Sequence, residues 1–158
     1  MPSNMSRGKR FSIFVTLIAL FALIAFVPEC SAAQNNLKVI IDHADYCALE
    51  DDGIEDDILI DFTVIIPSNA KVSAKSDFYL TMTLPSGIQH LALITVIGKF
   101  TELKLRVHWY NTAWESGWYN LIIDAFTYGL HGSYSTSIYD FDPPKTGTGE
   151  PSIYVMIL

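Results

Sequence analysis

From Leu103 to Tyr128 the chain runs through two alternations of apolar and polar residues, separated by a turn-rich, aromatic interval. Leu103, Leu105, Val107 and Trp109 alternate with Lys104, Arg106, His108 and Tyr110, the period of two that marks a strand with one buried face. Asn111 to Gly117 interrupts the pattern with turn formers, after which Tyr119, Leu121, Ile123 and Ala125 alternate with Trp118, Asn120, Ile122 and Asp124. Both faces of this second run are fairly apolar, which predicts a central strand. The two runs read as a central hairpin, and such a hairpin hides its apolar faces only beneath a second sheet, so a β-sandwich is expected.

The same period recurs along the chain. Leu37 to Asp42 predicts a short first strand, and Ile58 to Ile66 a strongly β-branched one with Ile58, Ile60, Phe62, Val64 and Ile66 on one face. In Asp77 to Leu84, Phe78, Leu80, Met82 and Leu84 point inward and Tyr79, Thr81 and Thr83 outward, and Pro85, Ser86 and Gly87 make a turn. Ile88 to Ile97 is apolar on both faces, and its β-branched content between Gly87 and Gly98 predicts a buried strand. A weaker strand is expected around Ser137 to Phe141. The proline- and glycine-rich stretch Asp142 to Pro151 then links to a last strand, Ser152 to Leu158. Seven or eight strands with no helical period after the first thirty-odd residues make an all-β domain.

Those first residues carry a different signal. Arg7, Lys9 and Arg10 precede an uninterrupted apolar run, Phe11 to Val27, and the small residues Ser31, Ala32 and Ala33 follow. This is the layout of a secretory signal peptide with cleavage after Ala33, although the run is also long enough at the limit for an uncleaved anchor. A lipidated Cys30 and a pilin-type cut near Gly8 are variants of the same layout, the second similar to archaeal pilins and archaellins. The expected division is therefore 1–33 as signal or anchor and 34–158 as one β-sandwich domain. Without Arg7, Lys9, Arg10 and Glu29 the chain keeps 7 basic and 16 acidic side chains, a formal charge of −9. Nucleic acid is excluded as an expected partner, because phosphate binding needs basic surface, and anionic headgroups are disfavoured likewise. A membrane would be met only through the N-terminal segment. Cys47 stays without an internal partner once Cys30 is removed, and is expected to be a small buried residue or an exposed thiol that pairs with another chain.

Within Gly117 to Gly129, GWYNLIIDAFTYG, the order of glycine, tyrosine, alternating aliphatics, alanine and glycine resembles the penultimate strand of immunoglobulin-like and fibronectin type III domains. The resemblance implies an immunoglobulin-like antiparallel β-sandwich of about seven or eight strands. It also implies that Tyr119 sits where those folds place a corner tyrosine bonded back to the backbone. It implies no activity. The domain also looks like the small exported β-proteins of archaeal and bacterial surfaces.

Two patches carry candidate chemistry. Between Asp45 and Asp61 the chain holds eight acidic residues and no basic one, with Gly53 at the middle. Carboxylates on a turn suit calcium, and Glu50, Asp52, Asp56 and Asp57 are the candidate ligands. Against the EF-hand pattern Glu50, Asp52 and Asp56 fall on ligand positions, whereas Ala48 and Leu59 fall on the first and last, so only a looser calcium turn is expected; the other reading is a solvated acidic loop. The second patch is aromatic: Tyr110, Trp114 and Trp118, near Trp109 and Tyr119, are the candidate ligand-binding residues, set against rings that cap one end of the core. His43, Asp45 and Cys47 share parity but supply too few ligands for a closed zinc site, and His90, His108 and His131 read as single surface residues. No phosphate loop, HExxH helix or GxSxG elbow is present. The function expected is non-enzymatic: an exported binding module for a protein or glycan at the cell surface, with calcium as the one candidate cofactor. The alternative is a structural subunit, a homo-oligomer joined by β-strand addition or by a retained N-terminal helix.

Overall fold

The computed structural model describes residues 37–66, 74–128, 132–144 and 150–158. The chain divides into two units, Met1–Ala32 and Ala33–Leu158, and the segment expected to be a signal or anchor, 1–33, lies outside the described residues. The second unit is all β: β1 (Lys38–Cys47), β2 (Asp57–Ile65), β3 (Lys75–Thr83), β4 (Gln89–Ile97), β5 (Glu102–Tyr110), β6 (Tyr119–Thr127), β7 (Tyr134–Phe141) and β8 (Ser152–Ile157). They form two four-stranded sheets in a β-sandwich-like arrangement. Sheet I has the order β1-β2-β5-β8 and sheet II the order β4-β3-β6-β7, with every neighbouring pair antiparallel.

Alternation decides what lies between the sheets. Ile58, Ile60, Phe62 and Val64 of β2 and Leu105, Val107 and Trp109 of β5 are buried from one side. Phe78, Leu80 and Met82 of β3 and Tyr119, Leu121, Ile123 and Ala125 of β6 are buried from the other. Phe62 and Phe78 meet edge to face across the gap, with ring centroids 6.0 Å apart, a geometry that adds to area burial.

β6 is central, between β3 and β7, as its two apolar faces predict. The expected hairpin with β5 is not formed. β5 pairs with β2 and β8 in sheet I, and the connection from Asn111 to Trp118 carries the chain across to sheet II. Hydrophobic period reports which face of a strand is buried and leaves its neighbours open. Asn111 at φ 50° and Gly117 at φ 122° bend this connection, and a Cβ at Gly117 would press on the Pro85 ring at 3.2 Å.

Two other strands differ from expectation. β1 runs on to Cys47, because a bulge between Ile41 and His43 inserts Asp42 and returns Ala44 and Tyr46 to the inner face; Thr63 Oγ1 donates to the Asp42 carboxylate at 2.5 Å. The break in alternation there looks in sequence like a strand end. β4 is an edge strand rather than a buried one. Its inner residues His90, Ala92, Ile94 and Val96 are half-buried, while Leu91, Leu93 and Ile97 on the outer face are 72%, 55% and 85% exposed.

Backbone and side-chain bonds fasten the ends of the two sheets. At what we term the upper end, the N–H groups of Thr112 and Ala113 both donate to the Asp56 carbonyl, at 2.8 and 2.7 Å, and Ser86 donates through N–H and Oγ to the Glu115 carboxylate. At the lower end Ile66 N–H donates to Thr101 O and Gly98 N–H to Ala74 O. Buried Tyr119 fastens the β5–β6 connection: its hydroxyl donates to the Glu115 carbonyl at 3.0 Å and accepts from the Glu115 N–H at 2.9 Å. Burial, and behind it the neighbouring Glu115 charge, push that phenol above its ordinary range. Tyr119→Phe keeps the ring and removes both bonds, so chemical denaturation should show a loss of about 1–2 kcal/mol with an unchanged m-value.

Candidate functional site

The acidic loop is ordered from within. Asp57 is fully buried, and its carboxylate accepts the N–H groups of Leu49 at 2.6 Å, Glu50 at 3.3 Å and Asn111 at 2.9 Å. It thereby joins the β1–β2 loop to the β5–β6 connection. Asp56 is also buried, with its carbonyl engaged by Thr112 and Ala113 and its Oδ1 without a hydrogen-bond partner among the described residues. Burial, then the charges of Asp57 and Asp52, push its carboxyl above the ordinary carboxylate range. Asp52 is exposed and accepts the Ile54 N–H at 2.9 Å in a local turn, and Glu50 is exposed on the same loop. Among the described residues no three His, Cys, Asp or Glu side chains are gathered so as to hold a metal ion. The four candidate calcium ligands are thus split between two buried residues, of which Asp57 has its carboxylate taken up by backbone N–H groups, and two exposed ones.

The three candidate aromatic residues occupy three surroundings. Tyr110 lies on the outer face of sheet I, edge to face with His108 and with its hydroxyl 3.2 Å from His108 Nδ1; Tyr154 of β8, the cross-strand partner of His108, also meets that imidazole, with ring centroids 6.2 Å apart. Trp114 turns inward, half-buried, against His90, which also meets Trp109. Trp118 is 68% exposed just ahead of β6. His90 is therefore no surface residue: it points between the sheets, and burial lowers its pKa against the weaker pull of Glu115. Cys47 is a free, half-buried thiol, pushed up first by burial and then by the charge of Asp57.

Nothing in the alternation of the chain singles out the outer face of sheet II. Pairing aligns Leu91, Thr81, Ile122 and Ile138 in one row across the four strands, and Leu93, Tyr79, Asp124 and Thr136 in the next. Thr95, Asp77, Phe126 and Tyr134 make a third. A shallow depression of about 370 Å³ opens there, lined by Tyr79, Thr81, Leu91, Asp124, Phe126 and Tyr128. Its rings are fixed by contact: Tyr79 stands edge to face on Phe126 at 5.6 Å, and Phe126 meets Tyr134 at 4.9 Å. Its polar groups are mutually engaged. Tyr134 donates to Asp124 at 2.7 Å. Thr95 donates to Asp77 at 2.7 Å, Lys75 lies 3.0 Å from the same carboxylate, and the Lys75 ammonium sits 4.8 Å over the Tyr128 ring. A hydrogen bond to Asp77 pushes the Tyr128 phenol up to about 12. The face thus offers aromatic and aliphatic surface whose carboxylates, Asp77 and Asp124, are already hydrogen-bonded within it, which suits an apolar contact surface.

The outer face of sheet I contrasts with it. Arg106 holds Asp61 through two parallel bonds, Nε to Oδ1 at 2.8 Å and Nη2 to Oδ2 at 2.7 Å, which draws the Asp61 carboxyl below its ordinary range. His43 and His108 add to that field. Comparison of the chain with protein-family models, with curated proteins and with solved structures gave no match.

Two outcomes follow from these contacts. Asp57→Ala strands three backbone donors and should cost about 2–3 kcal/mol in chemical denaturation, while the melting temperature of the native protein stays the same in excess calcium and in a chelator. Burial between the sheets sets the folded pKa of His90 below the ordinary 6.5. The unfolded chain then binds the extra proton, and this group's contribution is complete above 6.5 and is lost as pH falls below it. Denaturation at pH 7.5 and at pH 5 should show the native protein losing more stability over that interval than His90→Leu does.

Proposed function

We propose that the domain is an exported, non-enzymatic binding module with an immunoglobulin-like sandwich, which meets a protein partner at the cell surface through the outer face of sheet II. The order β4-β3-β6-β7 opposite β1-β2-β5 supports the immunoglobulin-like reading, as does Tyr119 bonded to the backbone four residues earlier. The observation that carries the function is the set of exposed apolar residues on β4, β3 and β7, from Leu91, Leu93 and Ile97 through Tyr79 to Tyr134 and Ile138, with the half-buried Ile122 and Phe126 of β6 between them. Monomeric soluble proteins seldom leave so broad an apolar surface uncovered without a use for it. A protein suits this face better than a glycan, because its most exposed residues, Leu91, Leu93, Ile97 and Ile138, are aliphatic and give no ring to stack on a sugar, while Tyr79, Phe126 and Tyr134 are packed ring against ring.

The alternative is a structural subunit of a surface assembly joined by strand addition. Its support is a different observation: β8 is an edge strand, Ser-Ile-Tyr-Val-Met-Ile, with no charge to deter pairing.

The binding reading is tested with fluorescently labelled protein and the cells that produce it. Saturable binding is expected that disappears after protease treatment of the cells and survives periodate oxidation of their glycans. Leu91→Asp combined with Leu93→Asp should abolish it while leaving the melting temperature within a few degrees, since both side chains are exposed. Binding that persists undiminished in the double variant would sink the assignment of this face.

A further inference from the structure

The two flanks of the sandwich are protected very differently. On one, β1 and β7 lie against each other, and β1 carries Lys38, Asp42, Asp45 and a bulge, the features that deter pairing at a sheet edge. On the other, β4 and β8 each pair on one side only among the described residues, in unbroken register, and neither QHLALITVI nor SIYVMI contains a lysine, arginine, aspartate, glutamate or proline. β8 is also incompletely covered on its inner side. Ile153, Val155 and Ile157 lie opposite Trp109, Val107 and Leu105 of β5, yet Ile153 and Ile157 remain 41% and 69% exposed.

We infer that β8 pairs antiparallel with β8 of a second copy of this chain, joining two four-stranded sheets into one of eight strands across a two-fold axis. This rests on the assembly reading above and names its contact.

Charge selects both the occupant and its direction. The upper end carries Glu50, Asp51, Asp52, Glu55, Glu115 and Glu150, with no lysine or arginine among the described residues there. The lower end carries Lys38, Lys75, Lys99 and Lys104, beside Asp77 and Glu102. β8 runs from the upper end, where Ser152 lies opposite Tyr110, to the lower, where Ile157 lies opposite Leu105. Antiparallel pairing therefore sets the carboxylate-rich end of each copy beside the lysine-bearing end of the other, twice by symmetry. Parallel pairing would bring two acidic ends together.

Side-chain parity adds a second constraint. For the two cores to lie on the same side of the joined sheet, odd-numbered residues of β8 must face odd-numbered ones. Ile153, Val155 and Ile157 then cover the same set from the other copy. β4 runs in the same direction as β8, so one axis brings the uncharged β4 edges toward each other as well.

The test uses the full-length chain, held in mild detergent because of its apolar N-terminal run, with mass measured by light scattering on a sizing column. A dimer is expected that dissociates when Ile153→Lys and Ile157→Lys are combined, the dissociation constant rising about 100-fold or more, with circular dichroism unchanged. Independently of that variant's folding, a spin label at Ser152→Cys, with Cys30 and Cys47 replaced by alanine, should report about 20 Å between copies, six residues of strand. A label separation below about 10 Å means parallel strands and overturns the pairing. A monomeric native protein overturns both the pairing and the assembly reading. An assembly whose size ignores the two lysines overturns the pairing alone and leaves assembly through another surface standing.

Discussion

Everything in this domain depends on two sheets hiding their inner faces from water. Cys47 is a free thiol, so no covalent link among the described residues assists, and the burial of β2, β5, β3 and β6 side chains must offset the ordering of the chain. Phe62 against Phe78 and the inward ring of Tyr119 lie in that layer. The four central strands are buried on their inner faces almost without exception, whereas the edge strands β4 and β8 are covered only in part. Exposure that looks wasteful in a single chain is thus concentrated at one flank and on one outer face.

The upper end shows how polar groups serve the same layer. A connection that crosses between sheets leaves backbone N–H groups without ladder partners, and each needs an acceptor. Asp56 supplies its carbonyl to Thr112 and Ala113, Asp57 supplies its carboxylate to Asn111, Leu49 and Glu50, and the Tyr119 hydroxyl serves Glu115. Two acidic residues that read in sequence as cation ligands are drawn inward to this task. The carboxylates left exposed on the loop give the upper end its charge, so the scaffold and the polarity of the surface come from one segment.

Surface character then separates cleanly by face. Sheet I presents an arginine–aspartate pair, histidines and tyrosines, while sheet II presents leucine, isoleucine and aromatic rings, with Asp124 bonded to Tyr134 and Asp77 to Thr95 and Lys75. Apolar surface with satisfied polar groups loses little on desolvation, and this is what a contact surface requires. The proposed protein contact uses the outer face of sheet II and the proposed β8 pairing the edge of sheet I, and β4 borders both.

Period-two alternation by itself determined which residues of β2, β3, β5 and β6 turn inward, because strand geometry sends successive side chains to opposite faces whatever their neighbours. The sequence also located the acidic segment, the crossing connection with its aromatic residues, and Tyr119 as a residue apart. Which strands pair was decided only in three dimensions: Trp109 and Tyr119 belong to different sheets, although eight residues separate β5 from β6. Strand neighbours decided the candidate site as well. Ile88 to Ile97 reads as buried because both of its faces are apolar, yet β4 stands at an edge and turns Leu91, Leu93 and Ile97 to solvent. A bulge after Ile41 hid half of β1, since one inserted residue inverts the parity on which the reading depends. Local pattern reports a face, and only the packing of distant segments reports whether that face is covered.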